Sequence, residues 1–499
     1  MNSGVKSIRN LMVPLALLIV LVAAFFISRA LLTRETSDAS ESQQTEYQSV
    51  VSLVTENLYS VSVSKNGVES FTISRTDALT NNGRWNLSEP LGKYDSELFS
   101  DNQMEQYLYS MINILSERTL SVNSEALVEY GLDNPSCVIT YRLNDGTIVR
   151  LDVGRKTADE KYTYVRVGSE GPVFVITAET ADSFDASILD FFNKSALNHL
   201  GKEIESLRFT RRSNPVSILA NPSKNRAFAE DILDWRLVLP VEYTSGDTFN
   251  SLAYCALTLE IDEYVEDSTD AVAQYGLSEP EYVFVIEDAD GNVTHIYVSR
   301  EMSGKYYGYS DAMPGIFRIS SNRFKGLDAP IIEYYYAYPI KESVSVIKSV
   351  KALFPEGEFS LEMNLSENMS INHPDAIAIV NRRPAKVTDQ SDQSYFMILF
   401  DSIMDIRFSG IDAKAPSSGA PEISVRIVSK DNRVTLLEFS NGGDGHFQVY
   451  LDGTFTGFTV STEQFYSENR TEPGVWFAFE RLNEALDGQI NGKYDIPVS

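Results

Sequence analysis

Two stretches of this 499-residue chain read alike at a nearly constant spacing. The first runs Tyr130-Gly131-Leu132-Asp133-Asn134-Pro135, continues through an apolar run from Cys137 to Leu143, and ends at Asn144-Asp145-Gly146. The second runs Tyr275-Gly276-Leu277-Ser278-Glu279-Pro280, then Tyr282 to Ile286, then Asp290-Gly291. Tyr130 to Tyr275, Pro135 to Pro280 and Gly146 to Gly291 are each 145 residues apart. The likeness continues with Lys161-Tyr162 against Lys305-Tyr306, and with Val173-Phe174-Val175-Ile176 against Ile316-Phe317-Arg318-Ile319. Matches in that number at a nearly constant spacing denote a duplication, so whatever the chain folds into, it folds into copies. A third copy is fainter: Pro421, the run from Ile423 to Val428, Asp431-Asn432 and Gly457-Phe458-Thr459-Val460 keep the order but lack the Tyr-Gly-Leu element. Pro135 to Pro421 and Asp145 to Asp431 are both 286 residues apart.

The shared block reads as a β-meander. Asp-Gly supplies the positive φ that a tight hairpin requires, proline ahead of the run suits an extended start, and Tyr-Gly-Leu reads as a chain reversal. Upstream lies helical periodicity: Met104, Tyr107, Leu108, Met111, Ile112 and Leu115 fall on one face, with Ser100 and Gln103 as a capping pair. Phe249, Leu252, Ala256 and Leu259 repeat the pattern, as do Phe396, Leu399, Phe400 and Ile403. A hairpin turning at Asn66-Gly67 and a Trp-led strand (Trp85, matched by Trp235) precede the helix. The expected fold class is α+β: an N-terminal transmembrane helix and three tandem modules, each a mostly antiparallel sheet with one packed helix.

The membrane expectation rests on the stretch from Leu11 to Ser28, which carries no charge. It places a transmembrane helix at 11–32 after a cytoplasmic N-terminus at 1–10. A flexible tether rich in Ser, Glu, Thr and Gln follows at 33–49. The modules then occupy 50–197, 198–340 and 341–487, with a C-terminal tail at 488–499. Basic residues flank the apolar run evenly, and only the free amino terminus tips the orientation towards an extracytoplasmic bulk.

A formal charge of −28 argues against nucleic acid and against anionic lipid surfaces as partners. Two cysteines, Cys137 and Cys255, exclude a disulfide-dense scaffold and a thiolate zinc cluster; they are either one bridge or two small buried hydrophobes. The four histidines, His199, His295, His373 and His446, lie too far apart in sequence to form a local metal site. Ser62–Lys65 and Ser345–Lys348 have the Ser-x-x-Lys spacing that works on a helix, but both fall in strand-like sequence. Asp288, Asp290 and Asn292 imitate a calcium loop whose glycine comes too early, so a hairpin turn explains them better. No catalytic residue, cofactor site or metal site is expected. One cluster offers a partner or ligand contact: Tyr334, Tyr335, Tyr336 and Tyr338, which read either as an exposed aromatic platform or as a seam between modules.

The run from Tyr130-Gly131-Leu132 and Pro135 through Asp145-Gly146, Leu151-Asp152-Val153-Gly154 and Tyr162-Thr163-Tyr164-Val165 to Val173-Phe174-Val175-Ile176 resembles a bacterial family, domain of unknown function 4340. The copy from Tyr275-Gly276-Leu277 is similar, but Ser299 stands where the family pattern has the glycine present as Gly154. The resemblance implies one N-terminal span, repeated outer domains and association with ABC-2 or gliding-type transporter systems, and it brings no catalytic residues. The functional expectation is a non-catalytic, membrane-anchored extracytoplasmic auxiliary or scaffold subunit, with an ABC-type permease or ATPase as partner. The alternative is a cell-envelope module that binds glycan or peptide, using the tyrosine cluster with Trp85 or Trp235.

Overall fold

The computed structural model describes residues 48–76, 84–120, 126–197, 203–223, 235–412 and 419–494. Each of its three large sheets grows from a hairpin. In the first, Asn66 and Gly67 have φ of 52° and 79°, the left-handed pair that lets two twisted strands meet through a two-residue turn. They join Leu58–Lys65 to Val68–Arg75. Trp85–Ser88 extends the sheet on the far side of the hairpin. On the near side comes a meander of Cys137–Leu143, Ile148–Lys156, Tyr162–Val167 and Val173–Thr177. The short strand Arg118–Leu120 pairs with its last member and closes an eight-stranded antiparallel sheet.

The second and third sheets have nine strands in the same order. Ile204–Arg211 and Val216–Pro222 form the second hairpin, Trp235–Leu239 flanks it, and the meander runs from Tyr282–Asp288 to Ile316–Ser320. Ile347–Phe354, Gly357–Asn364 and Ile377–Val380 take those places in the third, with a meander from Ile423–Ser429 to Thr454–Ser461. The additional edge strands are Tyr243–Thr244 and Arg383–Pro384. The likeness extends to an irregularity. Pairing between the first hairpin strand and the meander skips one residue between Leu58 and Ser60, between Ile204 and Ser206, and between Ile347 and Ser349. A bulge at this rung puts one extra residue on the hairpin strand and resets which side chains face the core. After it, Val61 and Val63, Leu207 and Phe209, and Val350 and Ala352 are all buried.

One helix of ten or more residues recurs in each repeat: Asp101–Ile112, Asp247–Leu257 and Tyr395–Met404. Their buried faces are Met104, Leu108, Met111 and Ile112; Phe249, Leu252, Ala253 and Ala256; and Tyr395, Phe396, Leu399, Phe400 and Ile403. Ser100 accepts a hydrogen bond from the Gln103 amide at 3.4 Å and starts the first helix. That helix ends before Leu115, which the periodicity had included. The chain instead becomes the strand Asn113–Ser116, where Leu115 is exposed, and pairs with Gln48–Ser52. The third repeat adds a helix, Val475–Leu486, and a two-stranded pairing of Val387–Thr388 with Lys493–Tyr494.

The expected fold class needs correcting. Among the described residues strand accounts for 42% and helix for 20%, so antiparallel sheet dominates rather than sharing the structure with helices. The reason is length: each eight- or nine-stranded sheet has one recurrent helix of 10 to 12 residues, joined by a second of 12 residues only in the third repeat. Among the described residues no helix is long and apolar enough to cross a membrane. The transmembrane helix expected at 11–32, the N-terminus at 1–10 and the tether as far as residue 47 lie outside the described residues, as do residues 495–499 of the tail. Gln48 and Ser49, assigned to the tether, are in strand. The chain divides into two compact units, Met1–Lys93 with Met104–Ala186 and Tyr94–Gln103 with Ser187–Ser499. Both cysteines are free thiols.

Candidate functional site

The repeat motif does structural work in each copy that carries it. Gly131 and Gly276 have φ of 69° and 70°, and Leu132 and Leu277 are driven into the core behind them. Tyr130 stacks on Tyr164 with ring centroids 4.3 Å apart, and Tyr275 packs on Tyr307 at 4.9 Å. In the first copy the Arg155 amide donates to the Tyr130 carbonyl at 2.8 Å, and a Cβ on Gly154 would lie 2.2 Å from that oxygen. In the second copy Ser299 is buried, and its hydroxyl donates to the Arg300 carbonyl and accepts from the Tyr307 amide. Pro135 and Pro280 precede the first meander strands, and Gly146 and Gly291, at φ of 87° and 84°, make the hairpins after them.

The tyrosine cluster divides between core and surface. Tyr334 is fully buried, and its hydroxyl donates to the Gly326 carbonyl at 2.6 Å. Tyr335 is buried with its ring edge-on to Phe458 at 5.0 Å, and its hydroxyl donates to the Val241 carbonyl. Neither offers a face to a ligand. They occupy the places of Phe191 and Phe192, buried in the corresponding segment one repeat earlier. Around Tyr335 the second and third repeats are joined: Phe408 stacks on Phe458 at 4.2 Å, Tyr243 meets both rings edge-on, and the Phe408 amide donates to the Ala337 carbonyl. Tyr336 and Tyr338 lie further out, Tyr336 being 37% exposed. Lys341 stands 4.3 Å above the Tyr243 ring, and the Arg407 guanidinium lies 5.6 Å from the Tyr338 ring. Partial desolvation and the charge of Arg236 together lower the Lys341 pKa from its ordinary value. Beside them a cleft of about 680 Å³ opens, lined by Arg236, Tyr243, Lys341, Asp412, Leu451 and Phe455 among others. Sequence reasoning missed Tyr243 and Lys341, because the third repeat supplies the other wall of the cleft through Asp412, Leu451 and Phe455.

Among the described residues the remaining candidates lie apart from one another. His295, on the strand Val293–Val298, bonds Asp311 at 2.7 Å, His373 accepts from the Asp375 amide, and His446 contacts the Asp444 carbonyl. His199 lies outside the described residues. Ser62 and Lys65 share the strand Leu58–Lys65, and Lys65 pairs with Asp185 rather than with the serine. Ser345 sits in the short turn Val344–Val346 and Lys348 on the following strand. The Asp288 carboxylate, 1% exposed, accepts from the Asp290 and Asn292 amides and so builds the hairpin turn. No group of acidic, cysteine and histidine residues able to hold a metal occurs among the described residues. Sequence reasoning missed Glu281. Burial pushes its carboxyl up, but hydrogen bonds from Ser213 and from Arg300 at 2.7 Å outweigh burial and hold it below the usual glutamate range.

Neither the curated proteins nor the solved structures contain a match to this chain. A family match covers residues 93–228. It begins ahead of the first helix, takes in the first meander and ends beyond the strand Val216–Pro222, so it passes from one repeat into the next. The family that this segment matches is the one described as domain of unknown function (DUF4340).

Proposed function

We propose that the protein is a non-catalytic auxiliary or scaffold subunit of a larger assembly, with an ABC-type transport complex as the assembly and the cleft between the second and third repeats as a contact surface. The observation that carries this reading is the seam of Tyr335, Phe408, Phe458 and Tyr243. It joins two repeats through buried aromatic rings and leaves, along Tyr243 and Lys341, a wide groove that neither repeat forms alone; the Tyr336 ring lies 5.9 Å from the Lys341 ammonium. Tyrosine and arginine, present here as Tyr336, Tyr338 and Arg407, are among the residues enriched in protein-binding hot spots.

The test is crosslinking and mass spectrometry on the tagged full-length protein in its own cells. Recovery of a permease or ATPase, with crosslinks at Lys341 that Tyr338→Ala reduces, is the expected result. Recovery of no protein partner would overturn the reading. The alternative, a glycan- or peptide-binding envelope module, draws on the same half-exposed Tyr336 and Tyr338, and recovery of wall material would favour it. An extracytoplasmic position is part of the proposal, and digestion of the protein by protease added to intact cells is its check.

A further inference from the structure

Superposing the repeats by strand register exposes a difference confined to the first. Thr163 pairs with Ile176, Tyr306 with Ile319 and Phe447 with Val460, so these three occupy one position of the sheet. Cys137, Tyr282 and Ile423 share another, at the start of the first meander strand. Ala181, Phe324 and Phe465 share a third, five residues beyond Ile176, Ile319 and Val460. In the second repeat the three are rings packed on one another: Tyr282 lies edge-on to Tyr306 at 6.1 Å, and Tyr306 edge-on to Phe324 at 5.9 Å. In the third repeat Phe447 meets Phe465 at 5.4 Å. The first repeat has a thiol, a hydroxyl and a methyl there, and a hollow of about 480 Å³ opens, lined by Cys137, Thr163, Ala181, Val153 and Phe184. That volume lies within the range of roughly 300–1,000 Å³ usual for small-molecule sites. The Thr163 side chain is 2% exposed, and its hydroxyl has no hydrogen-bond partner.

A second difference sits at the rim. In the second repeat Arg300 is neutralised by Glu281. The equivalent of Glu281 is Ser136, and Arg155, the equivalent of Arg300, makes no ion pair among the described residues. Lys65 and Lys156, also at the rim, are already paired with Asp185 and Asp182. Relative to its sister, the first repeat therefore lacks these three rings, with Phe184 at the place of Leu327 as its one added ring, and lacks one carboxylate beside an arginine; two of the absences adjoin, since Glu281-Tyr282 has become Ser136-Cys137. We propose that this hollow is a binding site for a small aromatic carboxylate, whose ring fills the space between Cys137, Thr163 and Ala181 and whose carboxylate pairs with Arg155. In the sister repeat the Tyr282 hydroxyl donates to Asp328 at 2.8 Å, and Asp185 is the equivalent acceptor. A phenolic ring therefore finds a partner at its far end.

The test is calorimetric titration of the full-length protein with 4-hydroxyphenylacetate. The expected result is saturable binding that falls at least tenfold on Ala181→Phe, a residue both sister repeats carry at that position, and on Arg155→Ala. 4-Ethylphenol, which lacks the carboxylate, is expected to bind at least fivefold more weakly than the acid. A second readout does not depend on the variants: the acid slows alkylation of Cys137, whose thiol burial raises to about 11. Absence of saturable binding, or binding that Ala181→Phe leaves unchanged, would overturn the proposal. So would equal affinity for the acid and the phenol. The altered residues all lie in the first unit and the transport-partner variant in the second, so the two readings fail separately.

Discussion

Gly154 and Ser299 occupy the same place in two copies of one motif, yet they differ in what the backbone allows. A side chain at 154 would drive a Cβ into the Tyr130 carbonyl at 2.2 Å, whereas the second copy already holds Ser299 with its hydroxyl satisfied. Gly154→Ala is therefore expected to destabilise the first unit by about 2–3 kcal/mol, towards the large end for single substitutions, while Ser299→Ala costs about 1 kcal/mol through lost hydrogen bonds. Urea unfolding followed by hydrogen exchange in each unit distinguishes the two. Glu281 gives a pH prediction at the same scale. Its carboxyl is held below the usual value of about 4.3. The stability it contributes is present above that pH and is lost as pH falls through its lower folded value. The melting temperature of Glu281→Gln should lie several degrees below wild type at pH 7, and the gap should close in acid. A gap independent of pH would remove the carboxylate from the explanation. At this scale the sequence misleads in one place. Matching Lys161-Tyr162 to Lys305-Tyr306 equates Tyr162 with Tyr306, but strand register equates Thr163 with Tyr306. The connection is two residues shorter in the second copy, and a shift of one residue along a strand reverses the face.

Among the elements, the aromatic seam between the second and third repeats is the one whose loss is most informative. Truncating Tyr335 removes a buried ring from against Phe458, at an expected cost of about 3–5 kcal/mol. Tyr335→Phe, which keeps the ring and loses only the hydroxyl bond to Val241, costs about 1 kcal/mol. Faster hydrogen exchange in Phe408 and Phe458 on Tyr335→Ala, with the first unit unaffected, would verify the seam. For the same reason loss of ligand binding on Tyr335→Ala would not identify a contact residue. Strands and turns were legible because Asn66-Gly67, Gly146 and Gly291 punctuate them and apolar residues alternate between. The helix end at Ile112 was not, since Leu115 keeps the helical spacing while its backbone pairs with Ser49. The burial of Tyr334 and Tyr335 could be suspected from Phe191 and Phe192 at the same place, but their partner Phe458 arrives from more than 120 residues away.

For the whole molecule, the excess of 28 negative charges sets the response to salt. Self-repulsion among surface carboxylates opposes the compact state, and salt shortens its range to about 8 Å at physiological ionic strength. Raising sodium chloride from about 0.02 to 0.5 M should lift the melting temperature by a few degrees, and a fall would mean that specific ion pairs dominate. The Ala181→Phe variant should melt higher than wild type as well, because a ring fills the hollow where the sister repeats already hold one. The duplication was legible at this scale because turn glycines and prolines resist change more than the residues between them. The balance of strand over helix and the hollow were not, since both depend on which strands pair and on which side chains then converge.

The bulge shared by the three sheets has a further meaning. An unpaired residue at Tyr59, Glu205 and Lys348 serves three unrelated side chains, so no side chain requires it. It is a property of the path of the backbone, inherited rather than selected anew, and it dates the irregularity to before the gene segment was copied. Later change then acted on the three descendants separately. Two of them hold packed rings in the interior and the third does not, so the shared backbone path tolerates either filling.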